Sequence, residues 1–468
     1  MKIHFLGANR QVTGSRYCIE TSRSRVMVDC GMFQEREFQT RNWSPSPIEP
    51  SSVDAMVLTH AHIDHCGLVP RFVHEGFRNP IVCTPATYDL LQIMLEDALQ
   101  IQMEDAKYKK KRHEREHRHA RFMEQPLFEE PDVLRALDLR QSAPFYREVE
   151  VTPDVRVIFH EAGHILGSAM LEFIVTDNSQ TRRIIFSGDI GQWNKPLLRD
   201  PTVFARDDID YVVMESTYGD RLHPDHGAIV DQLEANLNET LRQGGNVVIP
   251  TFAVERAQEL MYFISSLVHA NRIPDVKIFL DSPMAVDVTD IFRKHRDEYD
   301  DETWMRVNSG QPPLHFPGLV LASSSQQSRA INDYRQPAVI MATSGMCTAG
   351  RIKHHLRRNL PRPDSLILFV GFQAEGTLGR RLVSGEKEVR IHGQNWPVKA
   401  KVRQIYGLSG HADQKGLLHW ASAFTKAPRG VFLTHGEESS AQALSTLLHD
   451  RLNWNVRIPD FESTHDLS

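Results

Sequence analysis

The stretch "LTHAHIDHCG", residues 58–67, places three histidines and an aspartate within six positions, directly after the apolar run "AMV". His60 and His62 are two residues apart, so in an extended loop both imidazoles can face one metal ion. Asp64 and His65 can then turn toward a second ion. Imidazole and carboxylate ligands without thiolates favour Zn²⁺, with Mn²⁺ or Fe as competitors. A polar turn would explain a lone HxH, but HxHxDH after a strand predicts a dinuclear metal site.

The composition is that of a globular protein. At 468 residues, with 41% hydrophobic and 24% charged residues, the chain can bury a sizeable core and is long enough for two or more domains. Its five cysteines form no CxxC pair, which argues against a disulfide framework and a cysteine-rich zinc site. The net charge of -6 offers no general attraction to a polyanion, so a nucleic-acid partner would need a locally basic surface.

The sequence predicts neither export nor a membrane partner. The N-terminal stretch "MKIHFLGANRQVTG" lacks the apolar core of a signal peptide, and no stretch approaches the ~20 apolar residues that a membrane span needs. We therefore expect a cytoplasmic protein.

Three sequence patterns can be distinguished along the chain. Residues 1 to about 85 alternate short apolar runs with turn residues, as in "VMVDCG", and this strand texture returns in "RRIIFSGD" and "YVVMESTYG". Residues 91–122 begin as a helical pattern and pass into a dense run of Lys, Arg, Glu and His, which predicts a solvated helix or mobile surface insertion rather than a metal or RNA site. From about 225 to 395 strands and helices alternate, which is typical of a parallel α/β unit.

Further ligand-type side chains stand at the ends of apolar runs. Because strand ends at one edge of a sheet bring their side chains together, these positions are candidate partners of the "HAHIDH" cluster. Each alone is explained by a cap or a turn, but together they predict one site. They are Asp29, His164, Asp189, Glu215 and His435.

With these positions in place, the chain resembles the metallo-β-lactamase fold, and "ESTYGD", "LSGHAD" and "LTHGE" resemble the further motifs of its β-CASP branch of RNA-processing enzymes. Supporting stretches are "GANRQVTGS", "FAVERAQEL", "DSPMA" and "GFQAEGTLGRRL". The resemblance covers nearly the whole chain. It implies an α/β fold: an αββα sandwich from residues 1–208 and 400–468, with a parallel α/β β-CASP domain inserted at residues 209–399. Archaeal relatives often carry N-terminal RNA-binding domains, and we expect none here because the first strand begins at Met1.

The resemblance also implies roles for individual residues. His60, His62 and His164 would bind one zinc ion, and Asp64, His65 and His435 a second. Asp189 would bridge the two ions, and Asp29 would hold the "HAHIDH" loop. Asp64 would also take part in catalysis, as would Glu215 and His411, which would form a pair beside the metals.

This ligand set suits phosphodiester hydrolysis, and the resemblance implies RNA as the substrate, with endonucleolytic cleavage, 5′-3′ exonucleolytic cleavage or both. Two zinc ions about 3.5–4 Å apart would make a bridging hydroxide available to attack phosphorus. His411, kept protonated by Glu215, would protonate the leaving 3′-oxygen, so the products would carry a 3′-hydroxyl and a 5′-phosphate. A purely structural pairing of His411 with Glu215 is the alternative.

Local support for single-stranded RNA comes from "SGMCTAGRIKHHLRRNLPR", residues 344–362. Backbone N–H groups near Ser344 and Gly345 could cradle phosphates, while Arg351 and Lys353, with two further arginines, would supply positive charge. An exposed helix face is the alternative explanation for these cations.

The sequence allows three alternatives to RNA hydrolysis. A small-molecule hydrolase of the lactamase or thioesterase type would not need so large an insertion. An inactive scaffold conflicts with the complete set of ligand positions. DNA-acting members resemble the chain but tend to carry Val at the position of His435, so this histidine favours RNA. A homodimer is compatible with the sequence.

Overall fold

The computed structural model describes residues 1–116, 125–223 and 227–467. Within these ranges, no helix combines the length and the apolar character that crossing a membrane requires. The strands of the described residues, in chain order, are β1 (Lys2–Phe5), β2 (Tyr17–Glu20), β3 (Arg25–Val28), β4 (Ala55–Val57), β5 (Ile81–Cys83), β6 (Arg140–Ser142), β7 (Glu148–Thr152), β8 (Val155–Glu161), β9 (Ala169–Asp177), β10 (Gln180–Phe186), β11 (Tyr211–Glu215), β12 (Val247–Pro250), β13 (Lys277–Asp281), β14 (Leu319–Leu321), β15 (Ala338–Ala342), β16 (Leu366–Val370), β17 (Glu388–Ile391), β18 (Gln394–Pro397), β19 (Lys401–Ile405), β20 (Gly430–Thr434), β21 (Val456–Arg457) and β22 (Ser463–Asp466).

Helices connect many of these strands. The α-helices in the same ranges are α1 (Ile63–Cys66), α2 (Val69–His74), α3 (Pro85–Glu116), α4 (Glu130–Asp138), α5 (Gly227–Arg242), α6 (Arg256–His269), α7 (Pro283–Lys294), α8 (Asp301–Asn308), α9 (Ser325–Asp333), α10 (Ile352–Asn359), α11 (Leu378–Val383), α12 (Gln414–Ser422) and α13 (Glu438–Leu452).

The chain forms two compact units. The first unit comprises Met1–Trp193, Asp200–Leu222 and His411–Ser468, and the second comprises Asn194–Arg199 and His223–Gly410. The first unit is therefore discontinuous in sequence. The domain boundaries predicted at residues 208/209 and 399/400 stay predictions.

The first unit contains two seven-stranded sheets, in the orders β22-β1-β2-β3-β4-β5-β6 and β21-β20-β11-β10-β9-β8-β7. Apolar side chains of both sheets, among them Phe5, Phe173 and Phe432, form one core between them. The opposite face of the first sheet packs against α2, α3 and α4, and that of the second sheet against α12 and α13. The alternating burial along β8 places its odd-numbered residues inward. The layers are thus helix, sheet, sheet and helix, which confirms the predicted αββα sandwich.

The second unit is built around a six-stranded sheet in the order β14-β13-β15-β12-β16-β19, and every pairing in it is parallel. Its central strands are buried along their whole length, as in "VVIP" of β12 and "AVIMA" of β15. Continuous burial is expected of parallel strands that are covered on both faces. The predicted parallel α/β unit is confirmed.

The charged run after residue 105 continues α3. Residues 107–111 belong to this helix, and Lys107, Lys109, Lys110 and Lys111 are all exposed. Residues 112–116 also belong to α3, and the rest of the run, residues 117–122, lies outside the described residues.

Candidate metal centre

Strand direction explains why ligand-type side chains meet in the first unit. β3 and β4 run parallel, so Asp29 and the "HAHIDH" loop follow strand ends at one edge of the first sheet. In the second sheet β10, β11 and β20 are parallel, and β8 shares their direction because β9 is antiparallel to both of its neighbours. The residues that follow or end these strands are His164, Asp189, Glu215 and His435.

The first cluster contains His60, His62, His164 and Asp189. Nδ1 of His62 lies 3.2 Å from Nε2 of His60 and 3.1 Å from Nε2 of His164. Oδ2 of Asp189 lies 3.4 Å from Nε2 of His60 and 3.4 Å from Nε2 of His164. Three imidazole nitrogens and one carboxylate oxygen therefore converge on one point.

The second cluster contains Asp64, His65 and His435. Nε2 of His435 lies 3.3 Å from Oδ2 of Asp64. The other oxygen of Asp189, Oδ1, lies 3.3 Å from Nε2 of His65 and 3.6 Å from Nε2 of His435. Asp189 thus presents one oxygen to each cluster.

The donor set fits metal ions. With zinc–nitrogen distances of about 2.0–2.1 Å, two ligand atoms on a tetrahedron lie about 3.4 Å apart, which is close to the spacing in both clusters. Asp189 Oδ1 is buried and forms no hydrogen bond with a described residue, which leaves it a lone pair for a cation. Burial lowers the pKa of His60 to about 3 and that of His62 to about 4, so both are neutral at pH 7, the state in which imidazole binds metals.

A hydrogen-bond network at the Nδ1 atoms fixes the imidazole rings of His60 and His65. Asp29 accepts hydrogen bonds from the backbone N and the Oγ1 of Thr59, each at 2.8 Å, and lies 2.7 Å from Nδ1 of His65. The Thr59 hydroxyl also lies 3.0 Å from Nδ1 of His60. The Nε2 atoms of both histidines are thereby turned toward Asp189. Outer contacts of this kind set the tautomer and orientation of metal-binding histidines.

Sequence reasoning missed two threonines of this network. Besides Thr59, Thr217 lies 3.0 Å from Nδ1 of His435 and donates to the backbone oxygen of the same residue at 2.8 Å. A signal was present, because Thr59 directly precedes a candidate ligand and Thr217 lies in "ESTYGD". Nothing in the sequence, however, showed which ring each hydroxyl would contact.

Backbone pairing holds the "HAHIDH" loop in place. Asp29 has a positive φ of 56°, and after it the N–H of Cys30 donates to the oxygen of His65 at 2.7 Å. The N–H of Ser15 donates to the oxygen of Asp64 at 2.8 Å. A side chain at Gly31 would collide with that same oxygen, so only glycine allows this approach.

His411 and Glu215 form a pair at the edge of both clusters. Nδ1 of His411 lies 3.2 Å from each oxygen of the buried Glu215, which also accepts from the Ile190 N–H at 2.5 Å. Nε2 of His411 lies 3.9 Å from Oδ2 of Asp189, and the side chain is 19% exposed. Burial opposes the charge of His411, but the carboxylates of Glu215 and Asp189 outweigh it and raise its pKa to about 9. The same distances would also allow His411 to be a ligand together with Asp189 and His435.

The residues predicted to bind RNA lie in the second unit. Oγ of Ser344 accepts from the N–H groups of Thr348 and Ala349, so the loop uses these amides internally. Gly345 is buried. The guanidinium of Arg351 donates to Asp281 at 2.8 Å and to the backbone oxygen of Ser323 at 2.7 Å. Lys353, on α10, is partly exposed.

Comparison with known families covers nearly the whole chain. Residues 11–251 match the Metallo-beta-lactamase superfamily, residues 257–382 the Beta-Casp domain, and residues 395–459 the Zn-dependent metallo-hydrolase RNA specificity domain.

Individual relatives agree with these matches. Ribonuclease TTHA0252 of Thermus thermophilus is 38% identical, over 96% of this chain and 96% of the relative. Transcription termination factor FttA of Methanosarcina mazei is 30% identical, over 98% of this chain and 70% of the relative. A crystal structure of a protein of unknown function from Enterococcus faecalis shares the fold, with a TM-score of 0.54, 12% identity and 99% coverage of both chains. The chain therefore belongs to the metallo-β-lactamase superfamily, in the branch that carries a Beta-Casp domain.

Proposed function

We propose that the protein is a zinc-dependent ribonuclease that hydrolyses phosphodiester bonds of single-stranded RNA. The observation that carries this proposal is the pair of clusters joined by Asp189, with the His411–Glu215 pair beside them. Its relatives supply the substrate class, because one is named a ribonuclease and another a transcription termination factor.

Two zinc ions per chain are proposed, with Mn²⁺ as a competitor. His60, His62 and His164 would hold one ion, Asp64, His65 and His435 the other, and Asp189 would contact both. When bound, the ions lower the pKa of a shared water and offset the charge that develops on the phosphate oxygens. Asp29 and Thr59 keep the imidazoles in the orientation that such binding requires.

His411 is proposed as the general acid. Glu215 holds its Nδ1, so Nε2 points toward the oxygen of Asp189 and toward the centre of the two clusters. From there it can donate a proton to the leaving 3′-oxygen, which gives a 3′-hydroxyl and a 5′-phosphate. Because its side chain is partly exposed, it can recover the proton from solvent.

RNA contacts in the second unit form a separate part of the proposal. Lys353 offers a charge to phosphate. A backbone contact near Ser344 and Gly345 would use amides other than those of Ser344, Thr348 and Ala349, which are hydrogen-bonded within the loop. Arg351 would act through the loop, because its guanidinium is held by Asp281.

The experiment that tests the function uses purified protein with 5′-labelled and 3′-labelled RNA and with matching DNA. We expect metal analysis to find about two zinc equivalents, and cleavage of RNA that stops with a chelator and returns with zinc. The two labels distinguish internal cuts from removal of 5′ nucleotides. Cleavage that continues at full rate after complete removal of metal would refute the proposal, and preference for DNA would redirect it.

A further inference from the structure

One face of the second unit gathers basic side chains that take no part in the metal centre. Lys353, His354 and Arg357 lie on α10, and His392 lies in the turn between β17 and β18. The rings of His354 and His392 lie 4.8 Å apart, and Nη1 of Arg357 lies 3.4 Å from Nδ1 of His392. We call these four residues, together with Trp396, the α10 surface.

The pattern of α10 explains why these side chains face outward. Ile352 and Leu356 are fully buried in a core beneath the helix. Lys353, His354 and Arg357 lie one or two positions away from them and point elsewhere, because successive helix positions are about 100° apart. His354 is accordingly exposed and Lys353 is partly exposed, and His392 is exposed in its turn.

Trp396 holds Arg357 in place. The guanidinium carbon lies 5.0 Å from the centre of the indole ring, which itself packs against the core that contains Val389 and Ile391. A cation over an aromatic face is attracted by the ring. One face of the guanidinium is therefore covered, and its position is fixed without a carboxylate.

The charge of the α10 surface is not balanced by acidic groups. Among the described residues, no carboxylate forms an ion pair with Lys353, Arg357 or His392. Seven other arginines of this unit do have an acidic partner: Arg272, Arg293, Arg306, Arg351, Arg362, Arg381 and Arg403.

The basic groups also repel one another. Burial lowers the pKa of His392, and the charges of His354, Arg357 and Lys353 lower it further. His392 is therefore mostly neutral at pH 7, and a bound phosphate would favour its protonated form.

We propose that the α10 surface binds phosphates of single-stranded RNA outside the metal centre. This inference rests on the proposed ribonuclease function. Lys353 and Arg357, two cations one turn apart on α10, suit successive phosphates of a strand, and the exposed imidazole rings of His354 and His392 offer faces on which bases stack.

The test measures binding of a fluorescein-labelled oligouridylate to the full-length, zinc-loaded protein, by stopped-flow anisotropy before cleavage begins, at several KCl concentrations. Each phosphate contact contributes about 0.7 to the slope of log affinity against log salt. In the double variant Lys353→Gln/Arg357→Gln the negative slope should be less steep by about 1.4, and binding should be about 10-fold weaker at low salt. Arg357→Lys should keep the slope but lose affinity, because a lysine has no plane to lie on the indole.

The matched control is Arg272→Gln/Arg381→Gln, which removes the same charge from two arginines that have acidic partners. Its slope should equal that of the wild type. Equal slopes for the wild type and Lys353→Gln/Arg357→Gln would overturn the inference, while RNA cleavage by the wild type would still support the proposed function. Salt-dependent binding that weakens in this variant, without any cleavage by the wild type, would support the surface and reject the nuclease.

Discussion

His435 lies 371 residues beyond Asp64 in the chain, and it reaches the second cluster from the end of β20, an element that it does not share with the "HAHIDH" loop. His435→Ala should remove one of two zinc equivalents and reduce RNA cleavage strongly. Loss of an outer partner alone costs about 10–100-fold in metal affinity, so loss of a ligand should cost more. Metal analysis and the cleavage rate measure the two effects.

His449→Ala provides the control, because His449 is an exposed histidine on α13. This variant should retain both metals and the full rate. Unchanged zinc content in His435→Ala would remove His435 from the ligand set.

His411 lies at the edge of both clusters, where it can serve as the general acid or as a metal ligand. If it is the acid, His411→Ala should keep both zinc equivalents and lose about 10²–10⁴-fold in rate. A substrate with sulfur in place of the scissile 3′-oxygen has a leaving group that needs no proton, and it should restore much of the rate in the variant only. Loss of a metal, or equal effects of sulfur on both proteins, would instead make His411 a ligand or a structural residue.

At the scale of single elements, β13 ends in a carboxylate that contacts side chains of three other residues. Asp281 is fully buried and receives the guanidinium of Arg351 at 2.8 Å, Nε2 of His355 at 2.6 Å and the hydroxyl of Ser328 at 2.7 Å. Asp281→Asn should lower the opening free energy of β13 and α10 by about 3–5 kcal/mol, because it leaves the arginine without its partner. Hydrogen exchange of the amides in these two elements measures the change.

The loss of opening free energy in Asp281→Asn should depend on pH. Burial opposes the charge of Asp281, but His355, Ser328 and Arg351 outweigh it and lower its pKa. Its contribution is therefore complete above the unfolded pKa of about 4 and is lost as pH falls through the lower folded value. The difference between the wild type and Asp281→Asn should narrow below about pH 4. Asp290→Asn, which removes an exposed ion pair with Arg293, should change stability by less than about 1 kcal/mol at any pH.

The elements were predictable where local pattern decides them. Strand texture, the alternation after residue 225 and the strand ends that carry Asp189 and His435 all follow from periodicity. The contacts of Thr59, Thr217 and Arg351 could not be predicted, because a hydroxyl or a guanidinium can reach many partners and only the packed structure selects one. Arg351 illustrates this, since the sequence predicted a free cation and the fold places it against Asp281.

For the whole molecule, the two units should respond differently to metal. All candidate ligands lie in the first unit. At zinc concentrations about 100 times Kd, binding contributes about 2.7 kcal/mol, so chelation should speed hydrogen exchange of the loops around residues 58–67 and 433–436 up to about 100-fold. Amides of β12 and β15 in the second unit should exchange at the same rate with and without chelator. A uniform change in both units would contradict this division.

The discontinuity of the first unit sets a time at which activity can begin during protein synthesis. β20 lies between β21 and β11 in the second sheet, and His435 directly follows it in the chain. A nascent chain that has not passed this strand contains the "HAHIDH" loop and the whole second unit, yet it lacks His435, a candidate ligand of the second cluster. The protein is made on a ribosome that is reading RNA, and the order of its segments would withhold the complete candidate metal centre until residue 435 is translated.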